Sequence, residues 1–330
     1  MTTATAVSLV GDILSSTIIF AVPLLLVAIG AMFSERSGVI NIALEGIMIM
    51  GGLFASLFLS MSNSAGWGAT HPQLTMLLAI LVAGAVGAAF SLLLAFASIN
   101  LKADQIIGGT ALNTFAPAFS IVLSWAIQGQ GQTQIPIPTW IRIGGLKQNG
   151  SIIGNFFERI VFKNLYLTTP LAILVVVAAV IVLRKTRFGL RLMACGEHPQ
   201  AADSVGINVY RRRYAGVCIS GVLGGIGGLA FTIAAGSSFS SSVYGYGFLA
   251  LAVLIFGNWT PTRITVAALF FAFFKVLGSY AGSFVTVPIK SASQLYQILP
   301  YLVTVIVLIF TSKRSRAPRS EGIPYDKGSR

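Results

Sequence analysis

Long apolar stretches separated by short polar breaks run through the chain, and their lengths predict membrane-crossing helices. A bilayer core of about 30 Å takes roughly 20 apolar residues per helix. Nine stretches suit that length, at residues 13–33, 39–61, 74–99, 105–128, 166–183, 214–236, 244–258, 262–284 and 295–312. The stretch at 244–258 is short, and those at 39–61 and 105–128 carry Asn41, Glu45 and Asn113 near one end. These three are expected to be broken or re-entrant. An unpaired amide in lipid costs several kcal/mol, so irregular backbone survives there only under cover of protein or beside a watery cavity. The fold class that follows is an all-α polytopic membrane protein with about nine transmembrane segments.

Composition removes the main alternative. Of 330 residues 55% are hydrophobic and 9% charged, against about 25% charged in a soluble domain. The net charge of +13 does not describe a nucleic-acid-binding face, because Lys and Arg are absent before Arg36 and crowd into two short stretches. They act as topology signals. With the amino terminus outside, the cytoplasmic side receives sixteen bases, namely Arg36, Lys102, seven from Arg184 to Arg213, Arg263 and six after Thr311. The outer side receives five, Arg142, Lys147, Arg159, Lys163 and Lys290, and Lys275 lies within a span. That bias obeys the positive-inside rule and places the carboxy terminus in the cytoplasm. Met1 to Ser16 lacks the basic start of a secretory signal, so the first stretch is expected to be a retained span. Cys195 and Cys218 have neither disulfide-framework nor metal-ligand spacing. Small residues at 83–89 and 221–228 let helix backbones approach closely, so these two helices are expected in the interior or at an interface. Gly38–Gly52 and Gly245–Gly257 share a pattern, Gly then polar or aromatic then apolar to Gly, that would suit a duplicated half.

The loop 184–213 is long, charged and internally organised. Pro199 at a first helical position and Gly206 just past the end predict a two-turn helix, with Ala201, Ala202 and Val205 as a small apolar face. So short a helix is unstable alone in water and implies something to pack against. A loop serving only orientation would need the bases but not the helix. Arg211, Arg212 and Arg213 are expected nearer the lipid phosphates.

Two segments now carry a resemblance: ERSGVINIALEGIMIMGG at 35–52 and ACGEHPQAADSVGINVYRRRYAG at 194–216, supported by GYGFLALAVLIFGNWTP at 245–261. The chain resembles the permeases of bacterial ABC importers in the branched-chain amino acid and simple sugar superfamily, most closely the nucleoside-uptake branch. The similarity covers roughly residues 15–312. The resemblance implies a vitamin-B12-importer-like fold for a single permease domain, residues 1–312, in the bacterial cytoplasmic membrane. The tail 313–330 lies outside the similarity and, being basic with Pro and Ser, is expected to be cytoplasmic and flexible. The resemblance also implies a second homologous permease, a cytoplasmic ABC ATPase that carries ATP and Mg, and an extracellular substrate-binding lipoprotein. No cofactor and no nucleic acid are expected on this chain. The loop helix would be the coupling helix, with Gly196, Glu197, Pro199, Ala201, Ala202 and Gly206 forming the ATPase contact. His198 departs from the Asn or Asp common at that position and leaves the helix cap open.

Chemistry-bearing residues are few. No G-x-x-x-x-G-K-[ST] phosphate loop is present, so the chain is expected to be non-catalytic and driven by a partner. Asn41 and Glu45 stand four apart, on one helical face. An ionisable group at membrane depth is a functional candidate, and Glu45 has two readings: an ion pair with Arg36, or a pathway contact. Asn113 with Thr110 and Thr114 offers hydrogen bonds to a ribose or base, or to a neighbouring helix. Tyr244, Tyr246 and Phe248 suit stacking on a base or an interfacial belt. Lys275 either snorkels or faces the interior. The substrate-pathway set is thus Asn41, Glu45, Asn113, Tyr246 and Phe248. The same composition accommodates an importer for branched-chain amino acids or simple sugars, an ion-coupled secondary transporter relying on Glu45, or a membrane scaffold.

Overall fold

The computed structural model describes residues 3–143, 165–236, 238–284 and 317–328. In chain order the helices are α1 (Thr3–Arg36), α2 (Leu44–Ser64), α3 (Trp67–Thr70), α4 (Pro72–Ala95) with a π-helical extension Phe96–Asn100, and α5 (Gln105–Gln128). They continue with α6 (Thr168–Lys185), α7 (Arg187–Glu197), α8 (Pro199–Ser204), α9 (Val209–Ala235), α10 (Tyr246–Phe256) and α11 (Pro261–Phe284). Two short strands, β1 (Ile135–Pro136) and β2 (Ser238–Phe239), pair antiparallel with Ile135 opposite Phe239.

Among the described residues seven helices are long and apolar enough to cross a bilayer, α1, α2, α4 with its extension, α5, α6, α9 and α11. The stretch 105–128, expected to be broken, is one continuous helix that accommodates Pro117. The stretch 244–258 forms only the 11-residue α10, which rises about 16 Å, half a bilayer core. The expected span 295–312 lies outside the described residues, as do Lys147, Arg159, Lys163 and Lys290 of the charge count.

Burial sorts the helices into a centre and a flank. In α1 and α9, 78% of the most apolar window is buried, against 17% in α5 and 22% in α6. The exposed residues of α5 and α6 are large and apolar, among them Ile107, Phe115, Val122, Ile173, Leu174 and Val177. That flank suits lipid or another subunit, whereas α1, α2, α4 and α9 make the protein's interior.

The two small-residue clusters are where α4 and α9 meet, and here glycine is required for close approach. A Cβ on Gly225 would collide with the Ala83 carbonyl, and one on Gly87 with the Gly221 carbonyl. On the other side of α9, a Cβ on Gly228 would strike the Met48 carbonyl of α2. Lipid tails supply no hydrophobic drive for helix association, so backbone contact of this kind carries the van der Waals attraction that holds the centre together.

Contacts along α2 and α9 run in the same direction, with Gly224 against Ile47 and Gly52 against Thr232. Gly224 lies just past the middle of the 27-residue α9, so α2 starts near mid-depth. Between it and the end of α1 runs an irregular segment, residues 37–43. Helix α1 closes on Gly38 at φ +95°, with Val39 N donating to Ser34 O (3.2 Å) and Gly38 N to Glu35 O (2.9 Å). This is a Schellman cap, whose left-handed position favours glycine.

The carboxy-terminal segment differs from expectation. Read as a flexible tail, residues 317–328 instead pack onto the bundle end that carries Arg36 and Glu197, with Tyr325 buried in a cluster with Cys195, Ala202 and Val209. The composition is polar, but one aromatic and several hydrogen-bonding groups suffice to dock it. Arg213 also turns inward, away from where lipid phosphates were expected, because its Nη1 donates to Ile323 O (2.9 Å) of this segment.

The α4–α9 contact predicts a steep response to added volume. Gly225→Leu should lower the thermal unfolding midpoint of the detergent-solubilised protein, overpacking costing about 1–3 kcal/mol or more. Gly108→Ala, whose added Cβ meets only Leu94 at 3.6 Å, should leave it unchanged; equal effects in the two variants would remove the packing argument.

Candidate functional site

The site has two parts joined by a short relay, and the first is the corner made by α7 and α8. Thr186 caps α7, its Oγ1 accepting from Gly189 N (3.2 Å). This 11-residue helix, too short to persist alone in water, was not anticipated from the sequence; its apolar positions Leu192 and Cys195 are buried while Leu190 stays exposed. Chain direction then breaks at His198, which precedes α8 without a side-chain capping bond. Pro199 occupies the first turn, and Gly206 at φ +81° ends the helix, with Gly206 N donating to Asp203 O (2.9 Å) and Ile207 N to Ala202 O (3.0 Å). The Pro-to-Gly signal therefore marked the helix correctly, and its stop is the same Schellman geometry that closes α1.

The expected apolar face is divided. Ala202 points inward to Cys195, Val209 and Tyr325, while Ala201 is exposed and Val205 is 73% exposed. Gly196 is buried against the Arg36 carbonyl, Pro199 is buried, and Gly206 is exposed with open space around its α-carbon. Five of the six residues thus fall into two groups: Gly196, Pro199 and Ala202 seat the corner on the bundle, and Ala201 and Gly206 face outward. Glu197, half-buried, reaches Arg36 at 3.9 Å. Burial pushes the Cys195 thiol up from its usual range, against the pull of Arg213 and Arg212, which leaves it a packing residue.

Arg36 starts the relay. Its Nη2 donates to Trp259 O (3.1 Å) in the turn after α10, and Trp259 Nε1 donates to Glu35 Oε2 (2.6 Å). The corner is thereby tied to the lower end of the half-helix. Nearby, burial raises the Glu321 carboxyl above the usual carboxylate range, while its hydrogen bond with Glu35 and the charge of Arg36 oppose that rise.

The second part lies at mid-depth around residues 37–46. Ile40 N donates to Gln105 Oε1 (2.7 Å), Asn41 Nδ2 to Ser220 Oγ (2.8 Å), and Asn113 Nδ2 to Ile42 O (2.7 Å). Asn113 Oδ1 in turn accepts from Gly46 N (2.8 Å), so one amide side chain spans the start of α2. Glu45 does not pair with Arg36. Its two oxygens accept from Gly245 N and Gly247 N, each at 2.7 Å, and so cap the amino terminus of α10 from another helix. A carboxylate there answers both the orphan amides and the positive end of the helix dipole. Lys275 neither snorkels nor stays remote: its Nζ stands 4.4 Å from the Tyr246 ring centroid, close enough to interact electrostatically with Glu45.

Asn41, Glu45 and Asn113 therefore lie together around the start of α2, Tyr246 stands at the start of α10 that Glu45 caps, and the Phe248 side chain is 49% exposed. Tyr246 packs on Phe231 at 4.4 Å and on Phe20 at 6.4 Å between ring centroids. Phe20 also lines a cavity of about 330 Å³ toward the opposite end of the bundle, together with Thr139, Arg142 and Tyr166. Reasoning from sequence missed Gln105, Ser220 and the Glu35–Trp259 pair. A polar residue opening an apolar stretch was the available signal for Gln105. Among the described residues no group of three or more His, Cys, Asp or Glu is placed to hold a metal.

Removing the Glu45 carboxylate should be costly, since hydrogen bonds to a charged acceptor contribute about 1.5–3 kcal/mol each. Glu45→Ala is expected to lower stability by about 3 kcal/mol or more in denaturant titration of the solubilised chain, with Glu45→Gln intermediate. An unchanged midpoint for Glu45→Ala would show that the cap is not a structural staple.

Comparison with known proteins completes the site. The family described as the permease component of branched-chain amino acid transport systems matches residues 13–308. The guanosine ABC transporter permease protein NupQ of Bacillus subtilis is 41% identical, over 98% of this chain and 99% of its own length. The nucleoside ABC transporter permease protein NupC of Lactococcus lactis is 40% identical, over 96% of each chain. A second permease named for nucleosides in that strain, NupB, is 25% identical over 76% of this chain and 68% of its own length. No solved structure matches the chain.

Proposed function

We propose that this chain, which belongs to the permease family of branched-chain amino acid transport systems, carries nucleosides as the membrane-spanning subunit of an ATP-driven importer. Two relatives near 40% identity over almost their whole length are named for guanosine and for nucleosides, which supports the substrate class. The chain is a multi-pass membrane protein of non-catalytic type, so ATP and Mg belong to a partner ATPase. The occurrence of two permeases named for nucleosides, NupC and NupB, in one organism supports assembly with a second, similar permease, and the exposed apolar flank of α5 and α6 offers surface for it. An extracellular binding lipoprotein would deliver the solute.

The observation that carries the mechanism is the relay from Glu197 through Arg36 to the turn after α10. In this reading α8 is the coupling helix: the exposed side with Ala201, Val205 and Gly206 seats in the ATPase, and Gly196, Pro199 and Ala202 transmit its displacement to the bundle. Arg36 then moves Trp259 and, with it, the lower end of the half-helix whose upper end is held by Glu45. Alternating access follows if that half-helix and the break at 37–43 reposition together, opening the mid-depth region alternately toward the Phe20 cavity and toward the α8 end. Phe248 is the exposed aromatic of the half-helix available to a base, while Asn41, Glu45, Asn113 and Tyr246 shape the path rather than line it freely. With the stretch 295–312 as a further span, the layout suits nine crossings in a vitamin-B12-importer-like arrangement. The positive-inside bias sets the amino terminus outside and α8 with the carboxy terminus in the cytoplasm.

Reconstitution tests this. Proteoliposomes holding this chain with its second permease, ATPase and binding lipoprotein are expected to take up labelled nucleosides only with ATP, and to continue when ion gradients are collapsed. Arg36→Ala should cut uptake about tenfold while the assembly stays intact on size exclusion. Gradient-driven uptake by this chain alone, or normal uptake by the Arg36 variant, would overturn the reading.

A further inference from the structure

We propose that residues 318–327 form a strap that positions α8 on the bundle, locking the docking helix to the irregular segment 37–43. The proposal rests on the importer reading for what α8 docks against, and on the contacts of the strap itself for the rest.

The strap reaches several elements in ten residues. At its start Ser320 N donates to Gly196 O (2.8 Å) and Ser320 Oγ to Glu197 O (3.2 Å), capping the end of α7. Gly322, at φ +76°, lies under Ile40, so that a Cβ there would come within 2.8 Å of the Ile40 Cδ1. Arg213 Nη1 holds Ile323 O at 2.9 Å, and the same guanidinium lies against Gly38, the residue that closes α1. One arginine therefore touches both the strap and the break.

Tyr325 is the anchor. Its ring is buried with Cys195, Ala202 and Val209, one from each of α7, α8 and α9. It meets Tyr210 edge-on at 5.5 Å and has the Arg213 guanidinium 6.0 Å from its centroid. A helix of six residues gains too little from its own hydrogen bonds to persist in water, so the inward face of α8 depends on this ring for cover. Lys102 with Asp326 (2.9 Å) and Lys327 with Asp203 (4.0 Å) complete the attachment; both pairs are exposed and screened, so they guide rather than bind. The arrangement gives Tyr325 the part of a positioning residue: it acts on transport through Ala202 and the seat of α8, without touching solute or nucleotide.

Such a role separates movement of α8 from movement of the break when the strap is lost. Two variants of the full chain test it, Tyr325→Ala and truncation after residue 317, with Tyr325→Phe as the conservative control. Hydrogen exchange of the intact chain in nanodiscs reads the strap directly: amides 200–206 are expected to exchange at least tenfold faster in both variants and less than tenfold faster in Tyr325→Phe, which keeps the buried ring and loses only the hydroxyl bonded to Asp203. In the reconstituted assembly the labelled guanosine taken up per ATP hydrolysed should fall at least fivefold, with hydrolysis retained. Unchanged exchange at 200–206 overturns the strap whatever the solute. Faster exchange with an unchanged uptake-to-hydrolysis ratio overturns its part in coupling, as does failure of both variants to insert and assemble, which would make the segment a folding element only. If the unmodified assembly shows no ATP-dependent uptake, the importer reading fails, and the exchange result still decides the strap.

Discussion

Backbone amides at bilayer depth have no water to turn to, and the middle of this molecule is organised by that shortage. Two helices, α2 and α10, begin near mid-depth instead of at a membrane face, and each exposes orphan donors where leaving them unpaired costs several kcal/mol. The protein meets the demand with side chains from other helices: Asn113 for the start of α2, Gln105 for Ile40, and Glu45 for the start of α10. Asn113, Gln105 and Glu45 are thereby accounted for. They hold irregular backbone in place, and irregular backbone is what allows an otherwise uniform bundle to have a deformable centre.

The arrangement also keeps charge in balance. Glu45 faces the positive end of α10 and the field of Lys275, and Arg36 is shared between Glu197 and a backbone carbonyl. Rigid and adaptable regions are cleanly separated as a result. Where α4, α9 and α2 meet, backbones touch through Gly87, Gly225 and Gly228 and leave no room for rearrangement. Around residues 37–43 and α10, contacts are directional hydrogen bonds that can be exchanged for others. Displacement of the centre is therefore easier in the hydrogen-bonded region than where the glycine backbones meet.

Much of this was legible in the residues. Apolar length alone located the seven long helices and the short one, and the Pro199-to-Gly206 pattern located α8, because helix stop signals act locally. Clustered small residues marked the faces of α4 and α9 that pack closely, though not that the two meet each other. What escaped was anything set by pairing across the chain. The partner of Glu45 is 200 residues away in sequence, so the nearby Arg36 looked plausible while the amides of Gly245 and Gly247, invisible as ligands in a sequence, took the carboxylate. Arg213 reads as a surface base until the Ile323 carbonyl is seen beside it. Polarity suggested a loose tail at 313–330, yet a single Tyr325 with a cavity shaped for its ring decided otherwise for residues 317–328.

The thinly covered helix α5 carries hydroxyl groups on a face that little of the protein covers. Its outward threonines are self-sufficient: Thr110 Oγ1 donates to Ile106 O (2.9 Å) and Thr114 Oγ1 to Thr110 O (3.0 Å), so neither hydroxyl is left begging toward the acyl chains. That face can therefore border acyl chains with no polar group supplied from outside the helix, and whatever covers it is met by shape and apolar contact rather than by hydrogen bonding.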